Sequence, residues 1–257
     1  MILRRVIEHV KHQNWTAVAL DFVIVVLGVF IGIQVANWNA AQADKRRGAD
    51  YAQRLAADVS SDLAYRRAVI AYYDEVFDSA ERAIALLSEP APDPKALVVN
   101  AYRATESAFA PQTRATWDEI VSSGEIGLLP RAAVERGLVS YFSANDAQMA
   151  FDAIRASSLR ARVRRTIPHE IQKAIREGCS DTRDANGYVN GFTAECRLEV
   201  SDAVMRQAAD ALKNDADLLS DLTLHFSDLN TTRVTLRREV GFLENASAAL
   251  GADRSGR

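Results

Sequence analysis

Between Trp15 and Ala36 the chain carries one charged residue, Asp21, and one amide, Gln34, and the stretch Phe22 to Ile33 reads FVIVVLGVFIGI with no polar residue. About 20 apolar residues are needed to cross a bilayer. With Asp21 at one interface, Phe22 to Trp38 reaches roughly 25 Å at 1.5 Å per residue. Trp15 and Trp38 then flank the run where interfacial aromatics gather. The pattern predicts a single transmembrane helix over 15–38; a buried core helix is the competing reading. Ala41-Gln42-Ala43 ahead of Asp44 also fits a small-x-small cleavage site, but the long lead and the intervening Asn37-Trp38-Asn39 favour an uncleaved signal anchor. Upstream, Ile2, Leu3, Val6, Ile7 and Val10 recur at helical spacing with Arg4, Arg5 and Lys11 on the other face. Residues 1–14 thus read as an interfacial amphipathic segment or as a plain basic flank on the cytoplasmic side. Gly28 and Gly32 form a small-xxx-small pair in the span, the spacing that lets two helices approach closely, so a homodimer through this helix is one expectation.

Beyond the span the period stays helical. From Asp44 to Glu89 there is no proline, and Ile70, Tyr73, Phe77, Ala80, Ile84 and Leu87 step by three and four, the heptad signature. Arg66 falls on the same stripe and interrupts it. Pro90, Pro92 and Pro94 end the helix. Near the C-terminus Leu219, Leu222, Phe226, Leu229, Leu236, Val240, Leu243 and Leu250 repeat the pattern, with Arg233 and Ser247 as interruptions. The two segments, 44–89 and 201–250, predict an antiparallel pair with Phe77 and Phe226 buried between them, and 253–257 reads as a polar, frayed tail. Pairing with copies in an oligomer is the alternative.

The middle, 95–178, reads as shorter helices. These are Lys95 to Ala110, Thr113 to Ser123 stopped by Gly124, a long one from Pro130 through Leu159, and a short one from Pro168 to Gly178. GEIGLL, 124–129, is a connector with room for a short extended piece. No stretch alternates with period two long enough to predict a sheet. The fold class expected is all-α: one transmembrane helix followed by an elongated helical bundle, the domain covering 44–257.

Cys179 and Cys196 bracket a turn-rich loop, 179–196, holding Asp184, Asn186, Gly187 and Gly191. They are a disulfide candidate; two unrelated buried thiols are the alternative. A bridge closing such a loop contributes about 3 kcal/mol in the chain-entropy view, and disulfides persist in oxidising compartments. Basic residues on the two sides of the span nearly balance, so the cysteines decide orientation. They favour the N-terminus in the cytoplasm and the C-terminal domain outside it.

The net charge of -3 gives no basic field for nucleic acid. With 12 Gly and 6 Pro the composition is neither collagen-like nor disordered. Two cysteines cannot build a four-cysteine zinc site. Of the four histidines, His9 and His12 precede the span, and His169-Glu170 lacks the second histidine of a zincin. His225 lies on the C-terminal stripe and reads as a packed or solvent-edge side chain. No Walker A, GxGxxG or GxSxG pattern occurs. Arg160 to Arg165, in LRARVRR, reads as a solvated helix face, with contact to an acidic partner or phosphate as the alternative. No catalytic, cofactor or metal residues are assigned.

Two stretches together resemble a family of uncharacterised bacterial membrane-anchored proteins. The first is Asp21 to Asn39, with Gly28, Gly32, Gln34, Asn37, Trp38 and Asn39 in the anchor pattern, Asp21 standing where glutamate is expected. The second is Thr116 to Phe142, with Trp117, Ser123, Gly124, Leu128, Leu138, Tyr141 and Phe142. The resemblance implies a membrane anchor and an α-helical domain, and no activity.

The expectation is therefore a non-enzymatic single-pass membrane protein whose helical domain binds a protein partner or a small ligand, besides the lipid bilayer. Two alternatives stand beside it. One is a membrane-anchored enzyme with a non-motif active site in the middle helices, marked by convergent polar groups in a pocket near Trp117. The other is a structural or assembly factor of the envelope acting through the long helices.

Overall fold

A computed structural model describes residues 15–109 and 111–255; the reading of 1–14 as an amphipathic segment lies outside them. The described chain is mostly helical. Helix α1 is Trp15–Ser88, α2 Pro94–Arg103 and α3 Ala115–Ser122. A 3-10 turn, Ile126–Leu128, leads to α4 Arg131–Ala133, which passes through a π-helical stretch, Val134–Leu138, into α5 Val139–Ser143. Then come α6 Asp146–Arg155, α7 Ser158–Thr166 and α8 His169–Gly178. Strands β1 Asp181–Arg183 and β2 Val189–Phe192 precede α9 Asp202–Lys213 and α10 Leu218–Ser255.

The chain divides into two compact units, Met1–Asp50 and Tyr51–Arg257. In the first, the described residues are helical throughout, and the apolar side chains of α1 face outward: Leu20 is 61% exposed, Phe22 68% and Trp38 64%. This part of α1 is long and apolar enough to cross a membrane, and none of its most apolar window is buried. The helix runs unbroken through Ala40 to Lys45, which holds only residues that a helix accepts, without Gly or Pro.

The second unit has two hydrophobic clusters. One gathers Val69, Tyr72 and Val76 of α1 with Leu97, Tyr102, Leu159, Ile171 and Leu229. The other gathers Leu55 and Val59 with Trp117, Leu138, Tyr141, Leu243 and Leu250. Between them lies a polar layer. Arg66, 2% exposed, donates through Nε to Glu239 Oε2 at 2.6 Å, and Glu239 is 1% exposed. Asp62, also buried, accepts from Tyr141 Oη at 2.7 Å and from Thr113 Oγ1 and N at 2.6 and 3.0 Å. The Arg66 guanidinium lies 5.7 Å from the Tyr141 ring centre. Burial pushes the Glu239 carboxyl above the usual range, and Arg66 opposes that shift.

Arg66 and Arg233, which interrupt the two apolar stripes, each find a carboxylate on the other helix. Arg66 meets Glu239, Arg67 meets Glu244 at 2.8 Å, and Arg233 meets Asp74 at 2.6 Å. The Phe77 and Phe226 rings pack with centroids 4.3 Å apart. Phe77 and Phe226 are half-buried, not buried as the stripe predicts, because the Arg233 guanidinium covers Phe77 at 4.1 Å in place of a further apolar layer.

Other expectations are corrected by tertiary contacts. The helix expected from Pro130 through Leu159 is three shorter pieces. Gln112 Nε2 takes the carbonyls of Tyr141 and Ala144 at 2.6 and 3.2 Å, and Arg114 takes that of Phe142 at 2.5 Å, which ends α5. Ser157 then caps α7 by accepting from Arg160 N at 3.2 Å. Gly137, in the π stretch, sits where a Cβ would collide with the Phe242 backbone of α10. The return segment 201–250 is two helices. Asp215 accepts from Asp217 N at 3.1 Å in a turn that competes with the helix, and Arg162 holds Asp215 and Asp221. The connector 124–129 forms the 3-10 turn instead of an extended piece, and the tail stays helical to Ser255.

Removing one partner of a buried ion pair leaves an uncompensated charge. Glu239→Ala should therefore cost about 3–5 kcal/mol, whereas the double change Arg66→Met with Glu239→Leu should cost less than the single one. Thermal unfolding followed by near-UV circular dichroism checks both.

Candidate functional site

Helix α2 begins at a firm cap, Asp93 Oδ1 accepting from Ala96 N at 2.6 Å. Its buried face, Leu97, Val98, Ala101 and Tyr102, seats it in the first cluster. That seating leaves Tyr102, Arg103 and Glu106 at its C-terminal end beside α7 and α8. Arg160 arrives from α7, Ile175 and Arg176 from α8. The chain then passes through Cys179, Ser180 and Asp181 into the hairpin, and Phe192 of β2 closes the wall. Together these ten residues line a half-open cavity of about 300 Å³.

Cys179 and Cys196 are joined by a disulfide, their Cα atoms 4.6 Å apart. The bond ties the end of α8 to the chain leaving β2. Gly178 lets this happen: a Cβ there would collide with the backbone of Arg197, whose N donates to Gly178 O at 3.3 Å. The loop between the cysteines is a short antiparallel hairpin, where no sheet is expected from the sequence. Strands of three and four residues are too short to show a period of two. The turn signals within it are legible: Gly187 has φ 81°, and Asp184 Oδ1 accepts from Asn186 N and Tyr188 N at 2.8 and 2.9 Å. Glu75 of α1 accepts from Phe192 N at 2.7 Å and fixes β2 against the core.

The arginine-rich stretch is not a solvated face. Arg160 and Arg164, four apart, share one side of α7. Arg164 pairs with Glu106 at 2.8 Å, lies 3.4 Å above the Tyr102 ring centre, and reaches Thr105 Oγ1 at 3.1 Å. Arg160 donates to the Thr105 carbonyl. Arg162, on the other side, pairs with Asp215, Asp217 and Asp221 at 2.9, 3.3 and 2.6 Å. Of the run, Arg165 alone is exposed.

Cations therefore converge on the cavity. Arg103 donates to the Thr193 carbonyl at 2.8 Å, and Arg176 donates to Tyr102 Oη at 3.1 Å. Both acceptors are neutral. The Nε of Arg103 and one Nη of Arg164 are buried without a hydrogen-bond partner. Burial lowers the pKa of Arg103 and of Arg160, and the Arg164 charge adds to the effect on Arg160. Hydrogen bonding to Tyr102 raises that of Arg176. Burial, then the nearby Glu106 charge, raises the Asp181 carboxyl above its usual range. The site is a cluster of guanidinium groups over an aromatic and aliphatic floor, with two carboxylates among them. It suits recognition of a polar ligand.

A second cavity, of about 350 Å³, lies beside Arg66, Gln112, Phe142 and Glu239. Its charged pair is already mutually engaged. Trp117 is core, stacked on Phe142 at 5.0 Å, and lines neither cavity. Gly28 and Gly32 lie on the exposed run of α1, and among the described residues nothing beyond the helix's own backbone comes within 4 Å of a Cβ placed there. His169 is an exposed residue at the start of α8. His225 is buried, with Nε2 2.9 Å from the Ala104 carbonyl. Among the described residues no group of three or more His, Cys, Asp or Glu is arranged to hold a metal ion.

Sequence reading missed Tyr102, Arg103, Glu106, Arg176, Asp181 and Phe192 as site residues. The one signal was spacing: Arg160 and Arg164 recur at i,i+4, and Tyr102, Arg103 and Glu106 at i,i+3 and i,i+4. No family model, curated protein or solved structure matches the chain.

Two predictions follow from this region. Breaking the bridge with Cys179→Ser and Cys196→Ser together should lower stability by about 3 kcal/mol for a loop of this length, measured by chemical denaturation. The second concerns His225, whose pKa burial pushes below its ordinary 6.5. The unfolded chain then binds the proton more readily, so His225 contributes full stability above about pH 6.5 and loses it as the pH falls below that. Unfolding temperature measured from pH 7.5 to 5 should fall more steeply for the native chain than for His225→Gln. Because Asp181 and Glu239 titrate in both proteins, the difference isolates the histidine.

Proposed function

We propose that this is a single-pass protein of the bacterial inner membrane, with residues 1–14 in the cytoplasm and the helical domain in the periplasm. On this reading the domain is a non-catalytic binding module, and its ligand enters the arginine-lined cavity. The observation that carries the membrane part is the exposed apolar face of α1 from Val18 to Trp38, whose burial in lipid removes it from water. The resemblance of Asp21 to Asn39 to an anchor pattern supports it. The disulfide supports the oxidising side for the domain. The cavity, with its converging cations, supports ligand binding over an inert spacer.

Within the Tyr51–Arg257 unit we read α10 and the second half of α1 as an antiparallel pair, the frame of an elongated bundle. Gly28 and Gly32 are where a second copy would approach in a homodimer. A reporter enzyme active only in the periplasm, fused after Arg257, should be active. The chain should also resist extraction at alkaline pH. A silent periplasmic fusion beside an active cytoplasmic one overturns the orientation, and release into the soluble fraction overturns the anchor.

A further inference from the structure

We infer that the arginine-lined cavity binds a small organic monocarboxylate. Its carboxylate is held among Arg103, Arg160 and Arg176, and its apolar end lies on Tyr102, Ile175 and Phe192. The inference rests on the reading of this cavity as the ligand site and adds the ligand's class.

Three observations carry it. First, the cations are under-compensated. The hydrogen bonds of Arg103 and Arg176 end on a carbonyl and a phenol, and that of Arg160 on a carbonyl. The carboxylate nearest Arg160, Glu106, is 3.9 Å from it and is engaged at 2.8 Å by Arg164. A planar guanidinium is best satisfied by a carboxylate or phosphate that accepts two parallel bonds.

Second, the lining sets the charge of the guest. Glu106 and Asp181 both line the cavity among the arginines. A carboxylate brings one negative charge toward them, whereas a phosphate monoester, close to a dianion at neutral pH, sets a second charge against both. Third, the lining has an apolar part: Ile175 and Phe192 border the cavity beside the arginines, and Arg103 sits 4.7 Å over the Phe192 ring. A cavity of about 300 Å³ accepts a carboxylate with a short apolar or aromatic tail and lies at the small end of ligand sites.

Titration calorimetry on the full chain in detergent tests this with four probes of one shape: phenylacetate, 2-phenylethanol, 2-phenylethylamine and phenyl phosphate. Phenylacetate should bind saturably, one per chain, and the alcohol and amine at least about tenfold more weakly, the effect of losing one charge-assisted contact. Arg176→Gln, at an exposed position outside the core, should weaken phenylacetate by the same factor without moving the unfolding temperature. Equal binding of phenylacetate and 2-phenylethanol, or an unchanged affinity in Arg176→Gln, overturns the inference. Tighter binding of phenyl phosphate or of the amine overturns the carboxylate class and leaves the cavity a ligand site. Binding of none of the four overturns the inference and counts against the ligand-site reading as well.

Discussion

The buried pair of Arg66 and Glu239 is the contact on which the helical unit depends. Each residue interrupts the apolar register of its own helix, and neither charge tolerates burial without the other. They meet at 2.6 Å in a layer with Asp62, Tyr141 and Thr113 that separates two hydrophobic clusters. An apolar seam alone permits slippage by a turn; a buried charge pair does not, because a slip strands both ions. The outer contacts, Asp74 with Arg233 and Phe77 with Phe226, keep the same register. Replacing a buried pair of this kind by apolar residues is often near neutral, and polar residues in coiled-coil seams serve to specify one alignment.

That alignment positions the cavity. The cluster on one side of the polar layer holds Tyr72, Tyr73 and Val76, against which α2, α7 and α8 pack. Glu75 on the same turn of α1 captures the β2 backbone, and the disulfide closes the hairpin onto α8. Arginines from three separate helices then meet because each helix is seated by its own buried face. The cations are held by neutral carbonyls and a phenol, an arrangement that keeps them in place without neutralising them.

Much of the scaffold was legible. The membrane-crossing length and composition of Phe22 to Trp38 follow from hydropathy alone, and the stripes on α1 and α10 follow from steps of three and four. Pro90 to Pro94 ends α1, and Gly124, with φ 73°, ends α3, because backbone chemistry is local. The interruptions at Arg66 and Arg233 were visible as interruptions, but their partners were not. A charge on an apolar stripe becomes a contact only when another helix brings its counter-charge from 159 or 173 residues away.

The sequence by itself therefore determined the mostly helical class, the long apolar N-terminal segment and the apolar stripes, all set by periods of a few residues. The tertiary structure alone decided where helices stop and which cations converge. α5 ends because Gln112 and Arg114 take its last carbonyls, and the return segment breaks where Asp215 forms its turn and Arg162 grips it. Arg160 and Arg164 turn inward because Thr105 and Glu106 wait there. In each case the backbone is nearly indifferent between two local states, and a hydrogen bond from a distant side chain, worth about 1 kcal/mol, settles the choice.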